Sequence, residues 1–329
     1  MQDLSHKLDS LWKVIRRWAN FTYASFKLAL KDKALFYQAC STLIAHTQTH
    51  PDICRAYSRC VKSRVRTIAH LQNLNSYFTL IQPVRSPSLE IVRIGGAGDG
   101  GYCMLLPPPP PQKLDSSLEK PIAISLGVSH YAPWDLEMAD RGYTVLEFDG
   151  SIDDTPYPNH PNIHFYKAFV GVSDDASTIS LARILAESKL DPSAHNILQC
   201  DIENAEWEIL DAIAMQDLLA FAQIIFEFHG CDPDDEQGSI LRLRVLEKLR
   251  EHFTPIHTHY NNIAGICLGV IDDIVYPFCH SLEISYIRND LVPSDARLVS
   301  GLASIALDSP CSANKADIPV IFPNPTPKS

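Results

Sequence analysis

The sequence predicts an α/β protein whose mainly parallel sheet is covered by helices on both faces and is preceded by an α-helical N-terminal region. Two observations support this. Before residue 90 the apolar residues recur at helical spacing, and after it short apolar runs alternate with segments of helical pattern. Apolar strands in such alternation are typical of parallel sheets buried on both faces. We expect a helical region over 1–85, a main domain over 86–290 and an extension over 291–329 that packs on it.

The N-terminal region begins with an amphipathic stripe formed by Leu4, Leu8, Leu11, Ile15 and Trp18. Further helical stretches are predicted over about 28–47 and 53–74, with a break before Pro51 because a residue before proline disfavours the helical conformation. Residues 1–66 contain twelve Lys or Arg and four Asp or Glu, so this basic arm carries +8 and the remainder carries −19. We expect the arm either to dock on the acidic body or to contact an anionic membrane peripherally. Nucleic-acid binding is not expected, because the acidic body would repel phosphates.

The bulk composition indicates a cytoplasmic protein. No apolar run reaches the ~18 residues of a membrane span. The first residues carry charges and have no cleavage site of the kind that ends a signal peptide. The nine cysteines are scattered, with no Cys-x-x-Cys pair, and this indicates reduced thiols rather than disulfides or paired zinc ligands.

The core strands are predicted from apolar runs that end in a polar residue or glycine, at 122–127, 144–149, 163–166, 196–201 and 222–229. Helices are expected over 134–141, 178–188 and 240–252. The runs 256–260, 265–270 and 282–287 are interpreted as the final strands. Ligands of parallel α/β sheets bind at the carboxyl ends of the strands, so the polar residues there predict a site.

A glycine-rich segment at 96–101 satisfies the pattern G-x-G-x-x-G and follows an apolar run. A dinucleotide-binding fingerprint requires a helix to begin there, so that its N-terminus faces the pyrophosphate. Here residues 102–106 lead into five prolines at 107–111, and no helix can run through them. We interpret the segment as a glycine-rich β-turn and the prolines as an extended spacer.

A cofactor site is predicted at the end of the first core strand. Gly127 follows that strand, with Ser125 and Ser129 beside it, and Asp149 ends the next strand about twenty residues on. A glycine lets a backbone approach a ligand closely, and a carboxylate can accept hydrogen bonds from ribose hydroxyls. This spacing serves enzymes that bind NAD as well as enzymes that bind S-adenosylmethionine.

The remaining strand ends carry residues suited to catalysis. Asp201 follows the fourth strand, Glu227 and His229 end the fifth, and His257 and His259 alternate along the next. We expect Asp201, His229 and His259 to be catalytic, with a histidine as general base. A divalent metal held by Asp201, Glu227 and His257 could instead acidify a substrate hydroxyl. The alternative is that these are satisfied polar groups at a sheet edge.

Several of these segments resemble the FkbM-like methyltransferases: 99–102 (DGGY), 125–129 (SLGVS), 134–139 (WDLEMA), 142–143 (GY), Asp149, 201–207 (DIENAEW) and 226–229 (FEFH). The resemblance covers about residues 90–290 and is strongest at 201–207. The chain departs from the pattern at Asn204, where the family usually has glycine. It also departs at Ser125 and Ser129, where methyltransferases often have an acid and a glycine.

The resemblance implies a Rossmann-like, seven-stranded sheet of the class I methyltransferases and S-adenosylmethionine as methyl donor. It also implies O-methylation of a sugar, glycolipid or small natural product, so the expected partner is a small-molecule or glycan acceptor. Ser125, Gly127 and Ser129 would lie against the methionine part of the cofactor, Asp149 would hold the ribose, and Asp201 would contact the cofactor near the reacting centre. The alternatives are a non-catalytic binding module that retains this fold and an NAD-linked oxidoreductase.

Overall fold

The computed structural model describes residues 68–108, 120–271 and 274–323. The basic arm, with its predicted helices and membrane contact, lies outside these residues, as does most of the proline spacer. The first described helix, α1 (Ile68–Ile81), begins within the helical stretch predicted over 53–74 and extends seven residues beyond it. None of the helices in the described ranges combines the length and apolar character needed to cross a bilayer.

The glycine-rich segment is the turn of a β-hairpin. Strands Ile91–Ile94 and Tyr102–Leu105 pair antiparallel, and Gly95, Gly96, Gly98 and Gly100 between them have positive φ. No helix begins in this turn, so the interpretation as a glycine-rich β-turn is confirmed. A short strand before it, Val84–Arg85, pairs antiparallel with Arg297–Leu298.

The central feature is a mixed seven-stranded sheet, confirming the expected Rossmann-like α/β architecture. Its strands in chain order are β1 (Ile122–Leu126), β2 (Thr144–Phe148), β3 (Ile163–Tyr166), β4 (Asn196–Cys200), β5 (Phe221–Phe228), β6 (Phe253–Tyr260) and β7 (Leu282–Arg288). Their spatial order is β6-β7-β5-β4-β1-β2-β3. β7 pairs antiparallel with both of its neighbours, and the strand pairs from β5 to β3 are parallel.

Helices cover both faces of this sheet. They are α2 (Pro133–Asp140), α3 (Leu181–Ser188), α4 (Glu206–Ala212), α5 (Met215–Leu218) and α6 (Glu236–Arg250). On one face, α1, α3, α4 and α6 bury apolar side chains with alternate residues of β1, β4 and β5. On the other face, α2 and the glycine-rich hairpin pack on Ala123, Val145 and Ile225. This two-faced burial explains why these strands read as continuous apolar runs.

Three local details differ from the sequence expectations. The run predicted as helix from 178 begins as a strand, Thr178–Ser180, which pairs with Phe169–Gly171. Ser180 then caps α3, and its Oγ accepts a hydrogen bond from the Arg183 amide at 3.3 Å. The expected strand near 265–270 is Ile266–Ile271, and it forms a hairpin with Ile274–Cys279, a strand that the sequence analysis missed.

The segment after β7 returns across the domain. A turn of 3₁₀ helix, Asn289–Leu291, follows β7, and the strand Gly301–Leu302 pairs with Ile321–Phe322. Ile318, Val320 and Phe322 are buried in the same apolar core as α1. The described part of the extension is therefore continuous with the main core.

Candidate functional site

The carboxyl ends of β1 and β4 meet backbone to backbone at Gly127. Its φ is +83°, and a Cβ built there would stand 1.6 Å from the carbonyl oxygen of Asp201. The Asp201 amide donates to the Leu126 carbonyl at 2.8 Å, and the Gly127 amide donates to the Phe148 carbonyl at 3.0 Å. Only glycine fits this contact, because any other residue combines an unfavourable φ with a backbone clash.

A cavity of about 550 Å³ opens at this edge of the sheet. It lies where the strand order reverses between β1 and β4, the position at which open α/β sheets bind ligands. Its volume falls within the ~300–1,000 Å³ typical of small-molecule sites. The lining is Asp99, Gly100, Tyr102, Gly127, Val128, Ser129, His130, Tyr131, Ala132, Trp134, Asp135, Asp149, Ser151, Ile152, Gln199, Asp201 and Glu203.

Asp149 lines the cavity directly after β2. Its Oδ2 accepts a hydrogen bond from the Val128 amide at 2.8 Å. Its Oδ1 accepts from both the amide and the hydroxyl of Ser151, each at 2.6 Å. A carboxylate can accept about four hydrogen bonds, so Asp149 can accept one more. A ligand hydroxyl could also replace the Ser151 hydroxyl as a donor to Asp149.

The two serines beside Gly127 take different positions. Ser129 lines the cavity, and its hydroxyl donates to the Tyr131 carbonyl at 2.7 Å. Ser125 is fully buried and is not among the described residues that line the cavity. Its hydroxyl donates to Gln199 Oε1 at 3.0 Å, and Gln199 Nε2 in turn donates to the Tyr102 hydroxyl at 3.2 Å. Ser125 thus supports the cavity floor, because the cofactor contact expected for it is replaced by this buried network.

Asp135 in α2 also lines the cavity, although it is almost completely buried. Burial, reinforced by the nearby Glu147 carboxylate, raises the pKa of Asp135 to about 8. Both Glu147 oxygens and Asp135 Oδ1 lie buried without a hydrogen-bond partner among the described residues. With this pKa, the Asp135 carboxyl group on the cavity wall is mainly protonated at neutral pH.

His229 lies among four carboxylates at the end of β5. Its Nδ1 is 2.9 Å from Glu206 Oε1. Its Nε2 is 3.4 Å from Glu203 Oε2, 3.6 Å from Glu227 Oε1 and 3.7 Å from Asp201 Oδ1. Asp201 and Glu203 also line the cavity, so this cluster forms one of its walls.

The charges of this cluster shift one another's protonation. Burial acts to lower the pKa of His229, but the surrounding carboxylates, Glu206 first, outweigh it and raise the pKa to about 9. Burial raises the pKa of Asp201 to about 7, against the opposing effect of His229. Burial also raises the pKa of Glu227, whose Oε1 accepts from Asn261 Nδ2 at 2.5 Å and from the Ser281 hydroxyl at 3.1 Å.

The structure places His257 and His259 away from this cluster. His257 Nε2 contacts Asp308 Oδ1 at 2.8 Å, and its ligand atoms group with Cys103 and Asp308 rather than with Asp201 and Glu227. The predicted metal set of Asp201, Glu227 and His257 is therefore not assembled. The pleat of β6 turns both histidines toward the C-terminal segment, which supplies the carboxylate for His257.

His259 has no ring nitrogen free for a substrate. Nδ1 lies 2.8 Å from Glu283 Oε2, Nε2 lies 3.0 Å from Asp317 Oδ1, and the side chain is buried. Burial acts to lower the pKa of His259, but these two carboxylates raise it to about 10. The expected role of His259 as general base does not fit this placement, because the imidazole is held as a buried cation.

Several cavity residues were missing from the sequence-based set. Asp99 reaches the cavity from the glycine-rich turn, and Glu203 follows Asp201 in a turn where Glu203 and Asn204 both have positive φ. The pair of left-handed residues explains how a chain with Asn204 in place of glycine still makes this turn, since asparagine tolerates that conformation. Glu206 is fully buried beneath the turn. Its position at the start of a helix is visible in the sequence, but acidic residues are favoured at helix N-termini in general, so this position alone does not indicate a site.

The fold and the cavity define a Rossmann-like α/β protein with a ligand-sized site at its topological switch point. The chain is similar to the "Probable methyltransferase-like protein 24" of Rattus norvegicus, with 24% identity over 152 residues, which are 41% of this chain and 42% of that protein. The Homo sapiens protein of the same name is 22% identical over 166 residues, 46% of this chain and 45% of the relative.

The aligned region thus spans less than half the length of these curated relatives. No family model matches the chain. The distant similarity supports a methyltransferase in general terms, and the finer FkbM-like assignment stays a prediction.

Proposed function

We propose that this chain is an S-adenosylmethionine-dependent methyltransferase that methylates a hydroxyl group of a sugar, glycolipid or small natural product. The observation that carries the proposal is the cavity between the ends of β1 and β4, with Gly127 at its floor and Asp149 on its wall. The similarity to proteins named methyltransferase-like supports it independently.

The cavity residues fit this cofactor. Because Gly127 has no side chain, the ends of β1 and β4 approach closely and the turn after β1 presents backbone to the cavity. Asp149 has one open acceptor position and a replaceable bond to Ser151, which together suit a ribose diol. Asp201 and Glu203 add carboxylates to the lining, and these favour a cationic sulfonium.

When bound, the cofactor supplies an electrophilic methyl group, and the residues of this chain orient the acceptor oxygen toward it. We propose that the acceptor hydroxyl lies beside Asp201, whose Oδ1 is buried and lacks a hydrogen-bond partner among the described residues. The Asp201 carboxyl group, with His229 Nε2 3.7 Å away, is proposed to take up the hydroxyl proton as the new bond to oxygen forms.

The open side of the cavity suits a polyol acceptor. Asp99 and Glu203 are exposed carboxylates there, and carboxylates accept hydrogen bonds from hydroxyl groups. Tyr131 also lines the cavity, and 64% of its surface is exposed, so it offers a flat apolar face to a sugar ring or to an attached apolar group.

The proposal is tested by calorimetric titration with S-adenosylmethionine and S-adenosylhomocysteine, with NAD as the control ligand. We expect micromolar binding of both methyl-cycle ligands, no comparable binding of NAD, and at least tenfold weaker binding by Asp149→Asn. Asp153→Asn is the matched control, because Asp153 is four residues away and almost fully exposed. Failure of the folded wild type to bind S-adenosylmethionine would refute the proposal and favour the alternative of a non-catalytic binding module. Preferential binding of NAD would refute the proposal and favour the alternative of an NAD-linked oxidoreductase.

A further inference from the structure

The spacing of ligand atoms around His229 Nε2 is that of a shared ion. Its three carboxylate neighbours stand 3.4–3.7 Å away, which is longer than the ~2.9 Å of a direct hydrogen bond. Ligands about 2.1 Å from one metal ion in a tetrahedral arrangement stand about 3.4 Å from each other. The ligand atoms of Asp201, Glu203 and His229 all lie within 4.8 Å of one another.

The other side of the imidazole is arranged as in metal-binding histidines. Glu206 Oε1 lies 2.9 Å from His229 Nδ1 and also accepts from the Ile202 amide at 3.1 Å. A proton held on Nδ1 by this carboxylate leaves the Nε2 lone pair directed at the cluster. Trp207 Nε1 donates to the His229 carbonyl at 2.8 Å, so the backbone that carries the ring is fixed as well.

The cluster also has negative charge and oxygen atoms that the protein itself does not satisfy. Among the ion pairs of the described residues, Asp201, Glu203, Glu206 and Glu227 have His229 as their shared cationic partner. Asp201 Oδ1 and Glu206 Oε2 are buried without a hydrogen-bond partner in the described structure, and the Glu206 side chain is completely buried. Four carboxylates around one imidazole, with Glu206 and Glu227 buried, favour a further compensating cation.

We propose that Asp201, Glu203 and His229 bind one divalent transition-metal cation, of the Mn²⁺ or Zn²⁺ type, with Glu227 beside it and Glu206 as a positioning residue. One imidazole with carboxylates favours these ions over Ca²⁺, which prefers oxygen ligands alone. His229 takes the place in the ligand set that the sequence analysis gave to His257.

The site deepens the proposed function and rests on it for its role. Asp201 and Glu203 belong to both the cation cluster and the cavity wall, so the bound ion would face the acceptor. A divalent cation there would lower the pKa of an acceptor hydroxyl, which is the chemistry that O-methylation needs at neutral pH.

The test is to titrate the full, chelator-treated chain with Mn²⁺ alone and to monitor the electron paramagnetic resonance signal of the free ion. A second titration with Zn²⁺ is measured by calorimetry. We expect one ion per chain. Glu203→Gln and His229→Gln should each weaken binding at least tenfold, and Glu206→Gln should weaken it about 10–100-fold. Glu208→Gln is the matched control, since Glu208 is an exposed carboxylate two residues from Glu206.

Two outcomes would overturn the site: no saturable binding by the folded wild type, or equal binding by Glu203→Gln. The Glu203 side chain is 81% exposed, so this variant should fold, and circular dichroism verifies it. Titration with S-adenosylmethionine in chelator is independent of the ion. Metal binding without cofactor binding would refute the proposed function alone, and cofactor binding without metal binding would refute the ion site alone.

Discussion

Replacing Gly127 by alanine should destabilise the protein through two separable effects. The left-handed φ of +83° costs a residue with a Cβ about 1–2 kcal/mol. The new methyl group would also lie 1.6 Å from the Asp201 carbonyl oxygen. That oxygen belongs to the backbone, so the ends of β1 and β4 must separate, at a cost of about 1–3 kcal/mol. We expect a total loss of about 2–5 kcal/mol in the free energy of unfolding.

The measurement is urea unfolding of Gly127→Ala beside Gly301→Ala. Gly301 has a similar φ of +73°, but a Cβ there meets nothing within 4 Å, so this control carries the conformational cost without the clash. The difference between the two variants isolates the backbone contact. Gly127→Ala should also lose S-adenosylmethionine binding, whereas Gly301→Ala should retain it. Equal stability of the two variants, with cofactor binding intact in both, would refute the close approach of the strand ends as the basis of the site.

Three further predictions concern ionisable side chains that pack within the fold. His259→Gln removes two buried ion pairs and should lower the free energy of unfolding by about 3–5 kcal/mol. Because the pKa of His259 in the folded protein is raised to about 10, the stabilisation by its charge is complete below pH 6.5 and is lost as the pH rises towards 10. A urea series across pH 6–10 with no change in the difference from wild type would contradict it. Asp135→Asn should increase the free energy of unfolding by about 1–3 kcal/mol at pH 8 and should have little effect at pH 4. The wild-type carboxyl group ionises near pH 3.8 in the unfolded chain but near pH 8 in the folded protein, so it destabilises the fold as the pH rises between these values. An equal effect at both pH values would exclude this protonation. Lys248→Met should lower the stability measured by thermal unfolding by about 2–4 kcal/mol, since Lys248 Nζ donates to the carbonyls of Leu210, Asp211 and Ile213 at 2.6–2.9 Å. The control is Lys189→Met, because Lys189 is exposed. Equal losses of stability in the two variants would contradict the assigned contacts.

The strands of the sheet were predictable because burial on both faces removes polar residues from them. Apolar runs marked β1, β2, β4 and β5 to within a residue or two, and the polar residues after these strands indicated the correct edge. Gly127, Ser129, Asp149 and Asp201 are accordingly found together around the cavity. The hairpin strand Ile274–Cys279 was missed although its partner is adjacent in sequence, because it contains Pro277, which weakens a strand pattern.

The histidines of β6 show where sequence pattern alone fails. Alternation correctly placed His257 and His259 on one side of their strand, but their partners are 51 and 58 residues away in sequence. Asp308 and Asp317 lie in a segment rich in proline and serine, where no periodicity indicates their position. Ser125 is a comparable case, because its distance from Gly127 suggested the cofactor, whereas the side chain points down into the buried network with Gln199.

The attachment of the C-terminal segment by His257 and His259 also determines how the domain can open. Releasing the segment alone would remove Asp308 from the buried His257 and Asp317 from the buried His259, and it would expose Val320 and Phe322. Local detachment is therefore opposed both by the loss of buried ion pairs and by the exposure of apolar side chains. We therefore expect slow hydrogen exchange at the amides of Ala303 and Val320, which donate to the Val320 carbonyl and the Ser304 hydroxyl. We also expect proteases to cleave this segment slowly while the protein is folded.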